Sequence, residues 1–170
     1  MKTSRIIRAV CVVAFVVAAT SGVRAYDGWH LVDQIAIEGK ASGWDYLTYD
    51  GVSNRLFVGF RKNGLHVVDM ATKKVIKIIE GTAAASSNGV VLMPEFDLAI
   101  SNNENGTITP FRLSTLEASP PIKLGAELDT SHYDPFSKRV FVNMDNAEAK
   151  DMIVLEAPSL KVIGKIAVGA

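Results

Sequence analysis

The chain spells one passage twice. Tyr49-Asp50-Gly51-Val52-Ser53-Asn54-Arg55-Leu56-Phe57-Val58 is answered 84 residues later by Tyr133-Asp134-Pro135-Phe136-Ser137-Lys138-Arg139-Val140-Phe141-Val142. Halving that offset lands on Leu98-Ala99-Ile100, 42 residues after Leu56-Phe57-Val58 and 42 before Val140-Phe141-Val142. Asn105-Gly106 likewise follows Asn63-Gly64 by 42. A period of this size marks a repeat architecture, in which no unit can bury its own apolar face and each must stack on its neighbours.

Within a unit, short apolar runs alternate with turn chemistry. Trp44 to Asp50 gives a first strand, Asp50-Gly51 with Ser53-Asn54 a turn, and Arg55 to Phe60 a second strand dense enough in Leu, Phe and Val to be covered on both faces. Asn63-Gly64 predicts a tight hairpin with positive φ at both central residues, Leu65 to Asp69 a third strand, and Lys74 to Ile79 a fourth. The expected repeats are 44–81, 88–125 and 128–169. They are preceded by a leading strand over 29–39 that is homologous to a fourth strand. Pro110 removes a ladder donor from the third strand of the middle repeat, the weakest point of the reading. Pro120-Pro121 fall where an outermost strand has one side unpaired.

Four strands per unit without helical periodicity predict an all-β fold, a β-propeller of three four-stranded blades plus the leading outer strand. Arg55-Leu56-Phe57-Val58, His66-Val67-Val68-Asp69, Ala71-Thr72 with Val75-Ile76, and Ile166-Ala167-Val168-Gly169 resemble the YVTN-type propeller repeat. Its signature asparagine fits at Asn102, with Phe60 and Met144 in its place elsewhere. The resemblance implies an exported propeller, commonly of seven blades. Trp44-Asp45 spells the dipeptide of another propeller class, but at the wrong place in the repeat and only once. Since closed propellers need about four to eight blades, three repeats form an open arc whose missing blades are expected from a longer chain or a partner chain. The same alignment predicts that Phe57 and Phe141 are equivalent buried residues.

The first residues carry a different message. Lys2, Arg5 and Arg8 precede an apolar run from Ala9 to Ala19, and Val23-Arg24-Ala25 offers small residues for cleavage, so 1–25 is expected to be a signal peptide. The alternative, a membrane anchor, needs an apolar run of roughly 20 residues. Cys11, the sole cysteine, lies in that segment, which leaves the mature domain without thiol or disulfide chemistry. Removing Lys2, Arg5, Arg8 and Arg24 from eighteen basic residues leaves fourteen against eighteen acidic ones. A mildly acidic, periplasmic or secreted domain is expected, without nucleic-acid partners and without a stable membrane anchor.

In a propeller the first strand of each blade lines the channel. Asp45 and Asp129 occupy the same repeat position, Ser87 falls between them, and His132 sits on a first strand. These four are the candidate ligand-binding residues at a channel mouth, where a ring of oxygens can hold a cation or polar ligand. Against that stand the ordinary duties of carboxylates at strand entries and of a packed histidine. No pair among His30, His66 and His132 has metal-ligand spacing, and Asn143, Asp145 and Asn146 lack the glycine and closing glutamate of a calcium loop. Asn105-Gly106-Thr107 is a formal glycosylation acceptor that the turn already explains. No nucleophile motif, phosphate loop or dinucleotide fingerprint is present, so no catalytic residue, metal or cofactor is expected. The leading reading is a non-catalytic binding or interaction scaffold for an unknown protein or small-molecule ligand. Its rivals are a propeller enzyme of lactonase or quinoprotein dehydrogenase-like type with its site at the channel mouth, and a truncated product without independent function.

Overall fold

The structure, a computed structural model, describes residues 28–40, 43–145 and 151–168. The expected signal peptide, 1–25, lies outside the described residues, as does Asn146. Two compact units divide at Gln34 and Ile35. In the first, the described residues 28–34 are exposed and lack regular structure. No helix among the described residues is long and apolar enough to cross a membrane.

The second unit is built of three antiparallel sheets of four strands, each in sequence order from inside out. Blade 1 holds β1 (Leu47–Asp50), β2 (Arg55–Gly59), β3 (Leu65–Asp69) and β4 (Lys74–Ile78). One helical turn, α1 (Thr82–Ala85), leads to blade 2, formed by β5 (Ser87–Met93), β6 (Leu98–Asn103), β7 (Thr107–Arg112) and β8 (Ile122–Lys123). Blade 3 holds β9 (Leu128–Asp134), β10 (Arg139–Met144), β11 (Asp151–Glu156) and β12 (Lys161–Ala167). This is the expected arc of a β-propeller, and the turns show why. Asp50 and Asp134 each accept a backbone N–H two residues on and bind a serine hydroxyl three residues on, closing equivalent turns by side-chain chemistry.

The register corrects the period. Asp50 pairs Arg55, Met93 pairs Leu98 and Asp134 pairs Arg139, so equivalent residues lie 43 and then 41 apart, not 42 and 42. Phe57, Ile100 and Phe141 are therefore equivalent, and Ala99 faces the other way, because a slip of one residue exchanges the two faces of a strand. Backbone strain repeats in the same register: Asn54, Asp97 and Lys138 take φ of 53°, 51° and 56°, and Lys73, Leu116 and Leu160 take 58°, 61° and 56°. Gly106 N donates to Asn103 O as Asn63 N does to Phe60 O, so the two Asn-Gly pairs sit one residue out of step. Only the glycine of each pair has positive φ, which rules out the predicted two-residue turn.

Each blade has a leading face toward the preceding blade and a trailing face toward the next. The trailing face of blade 1 (Phe57, Val67) packs on the leading face of blade 2 (Val90, Ala99, Phe111). The trailing face of blade 2 (Val91, Ile100, Ile108) packs on the leading face of blade 3 (Tyr133, Val140, Val142, Leu155). At Gly59 an added Cβ would meet Asn88 O at 2.0 Å, so only glycine permits this approach of blades 1 and 2. Pro110 does no harm. Its carbonyl accepts from Ser119 on the outer side, so the missing N–H is absent from the outer side too and the β6–β7 ladder stays whole.

Two expectations need correction, and one further face is settled. Residues 29–39 form no strand, because a strand exists only by pairing and none of the described sheets pairs with them; Ile35 and Ile37 alone keep partial burial. Phe57 is fully buried but Phe141 only partly, since the trailing face of blade 3 meets no further sheet among the described residues. The leading face of blade 1 is not wholly bare: Val58, His66 and Val68 are buried while Leu47 and Tyr49 are exposed. Trp44 stacked on Phe60, with His66 beside that ring, closes its inner end.

Candidate functional site at the inner rim

The register brings Asp45, Asn88 and Asp129 to one position at the inner entry of the three blades, and Arg61, Glu104 and Asp145 to another on the adjoining hairpins. Arg61 Nη2 lies 2.8 Å from Asp45 Oδ2, and its Nη1 is paired with Glu104, so one guanidinium ties two blades together. Burial pushes the Asp45 carboxyl up; Arg61 pulls against this and Asp129 adds to it. Glu104 is held below its usual range by the neighbouring Ser86 hydroxyl first and then by Arg61, although Ser86 Oγ falls outside strict hydrogen-bond geometry. Tyr46 O–H donates to Asp129 Oδ2 across 3.3 Å, and burial together with the Asp129 charge raises its pKa.

Asn88 is the residue that sequence reasoning missed. It is buried, its Nδ2 donates to Leu128 O at 2.7 Å, and its Oδ1 has no donor. Ser87, one residue away, faces elsewhere. Its hydroxyl is buried 2.7 Å from Ser101 Oγ, in a chain that continues through Asn103 to Thr107 and Thr109. The bulge at Ser87 to Gly89 sets this difference, and bulges leave little trace in sequence. His132 also stays apart: it is exposed on the trailing face of blade 3, paired with Phe141. Asp45 and Asp129 are thus brought together with Asn88, while Ser87 and His132 are not part of the rim.

The signature asparagine also shifts. Gly59, Asn102 and Asn143 are equivalent, so two blades carry it, and Asn102 Oδ1 accepts the Ser131 hydroxyl from blade 3 at 2.8 Å. His66 is buried against Gly64 O, and Asn105 Oδ1 accepts from the Thr107 N–H and hydroxyl, a side-chain turn in place of the expected Asn-Gly hairpin turn. Beside the rim, Asp129, Asn143, Met144, Asp145, Asp151 and Met152 line a groove of about 370 Å³. A cavity of about 520 Å³ lies elsewhere, between Glu80–Ala85, Thr107, Thr109 and Ser119–Pro121. No cluster of metal-binding side chains occurs among the described residues. The rim offers acceptors, one buried amide oxygen without a donor, and the half-exposed ring of Tyr46. Chemically, such a surface can accept hydrogen bonds.

No protein-family model matches the chain, and no curated protein does. Among solved structures, hydrazine synthase of Kuenenia stuttgartiensis superposes with a TM-score of 0.68 at 14% identity, over 85% of this chain and 40% of that one. The likeness concerns the fold alone. The chain spans about two fifths of the length of that structure.

Proposed function

We propose that this chain is part of an exported β-propeller of the YVTN-type class that works as a binding scaffold, taking a donor-rich polar ligand at the inner rim. The observation that carries the reading is the recurrence of acceptors at one register position, Asp45, Asn88 and Asp129, with Asn88 Oδ1 buried and lacking a donor. A buried acceptor without a partner costs about 1–3 kcal/mol; Asn88 Oδ1 is closed to solvent, so a ligand N–H or O–H relieves that cost only as the rim opens to admit it. Residues of the rim that are already engaged, above all Arg61, serve to join blades rather than to react.

The test is calorimetric titration of the secreted chain with a small panel of polyols and primary ammonium compounds. Binding by one class, weakened at least about tenfold in Asn88→Leu and in Asp129→Asn, supports the reading. Failure of the whole panel to bind, or binding that neither substitution alters, refutes it. Recovery of intact Met1 protein from the cytosol overturns the exported placement. Turnover of a lactone or an alcohol that depends on Asp45 or Asp129 replaces the scaffold by the enzyme reading.

A further inference from the structure

We infer that the cavity between blades 1 and 2, on the outer side of the arc, is a binding site for a neutral saccharide, separate from the inner rim. It exists because the outer strand of blade 2 is interrupted. Phe111 bridges Ala118 and Ile108 pairs with Ile122, so Ser119, Pro120 and Pro121 face only Thr109 and Pro110, and neither outer proline can donate a ladder N–H. At the equivalent positions of the other blades, His66 and Ile153 pair with the outer-strand residues Ile78 and Lys165. Thr109 has no such partner among the described residues. Between the bulged segment and the connection 80–85 a space of about 520 Å³ remains, within the roughly 300–1,000 Å³ usual for small-molecule pockets.

Its buried side is polar where the other blades are largely apolar. Register makes Ser101, Asn103 and Thr109 equivalent to Val58, Phe60 and His66 in blade 1, and to Val142, Met144 and Ile153 in blade 3. In blade 2 the three form one chain: Ser101 Oγ donates to Asn103 Oδ1, and Asn103 Nδ2 donates to Thr107 Oγ1 and to Thr109 Oγ1, both at 3.0 Å. With both amide hydrogens committed, each threonine hydroxyl accepts from Asn103 and must turn its own hydrogen elsewhere. Thr107 directs its hydrogen to Asn105 Oδ1 at 2.7 Å. Thr109, 2% exposed and lining the cavity, finds no acceptor for its hydrogen among the described residues. A ligand oxygen in the cavity satisfies that donor. Asn105, whose Oδ1 is already engaged, and Ser119 add exposed N–H and O–H groups to the lining. Ala84, Ala118, Pro120 and Pro121 supply apolar walls, and the one charge in the lining is the Glu80 carboxylate. Donors for ligand oxygens, apolar walls for C–H groups and a carboxylate without a cation match a neutral hydroxylated ring and oppose an anion.

Ligand-observed NMR titration of the secreted chain with glucose, N-acetylglucosamine, cellobiose and glucuronate is the test. At least one neutral sugar should bind, with glucuronate at least about tenfold weaker than that sugar. Thr109→Val keeps the shape and removes the hydroxyl, and Ala84→Phe fills the space from an exposed position outside the polar chain. Each should weaken binding at least about tenfold, while Thr109→Ser retains it. Asn88→Leu and Asp129→Asn, at the inner rim, should leave it unchanged. Thermal unfolding identifies any variant that fails to fold, and should Thr109→Val be one, Ala84→Phe and Thr109→Ser decide. Failure of every neutral sugar to bind, equal binding of glucuronate, or binding that Ala84→Phe leaves intact overturns the proposal. Binding lost in Asp129→Asn but kept in Ala84→Phe also overturns it, since the sugar then sits at the rim.

Discussion

Replacing Phe57 and Phe141 by alanine tests the open arc most directly, because the two residues are identical by register and differ only in what covers them. Phe57 is 0% exposed and meets Phe111 across the blade 1–blade 2 interface. Its removal sacrifices transfer energy, leaves a cavity that the interlocked sheets cannot collapse, and loses an aromatic pair. Together these come to roughly 4 kcal/mol. Phe141 is only partly buried on a face that solvent already reaches, so its truncation opens no closed cavity and forfeits a partial transfer term, roughly 1–2 kcal/mol. Urea denaturation of the two variants and the parent measures both, provided that the slope with denaturant stays constant. Losses within about 0.5 kcal/mol of each other would refute the reasoning, because equal losses require equal burial.

The remaining predictions concern contacts between blades and turns. Glu95 accepts from Tyr133 and Lys138 across blades 2 and 3, and these bonds, Lys138 first, lower its carboxyl pKa to about 2. The stability it supplies is therefore complete above its unfolded value and lost as pH falls toward 2; Glu95→Gln should cost about 1 kcal/mol at neutral pH and flatten that part of a pH–stability profile. Thr82 Oγ1 accepts from Leu65 N and donates to Ile79 O in a fully buried site, so Thr82→Val should lose about 1–3 kcal/mol in thermal unfolding despite keeping the shape. Arg61→Met should destabilise by about 1 kcal/mol, discounted for partial exposure, and by less in high salt. Its cost should shrink as acid protonates Asp45, whose raised pKa means that burial already disfavours the charge.

What the sequence determined alone is what adjacent residues decide between themselves. Asp50 and Asp134 close their own turns by binding N–H and hydroxyl groups two and three residues on, and the apolar runs between such turns have the length of strands, so twelve strands in three sheets were legible. Asp45 and Asp129 were legible as a pair because 84 residues separate them in both sequence and register. The middle repeat was not, since connections differing by two residues put equivalents 43 and 41 apart, and one residue of slip turns Phe57's counterpart from Ala99 into Ile100 and the rim residue from Ser87 into Asn88. Residues 29–39 carry the alternation of a strand but pair with none of the described sheets. Phe141 repeats Phe57 in identity but not in burial. Pairing and covering are supplied from elsewhere in the chain, and only the tertiary structure decides whether they arrive.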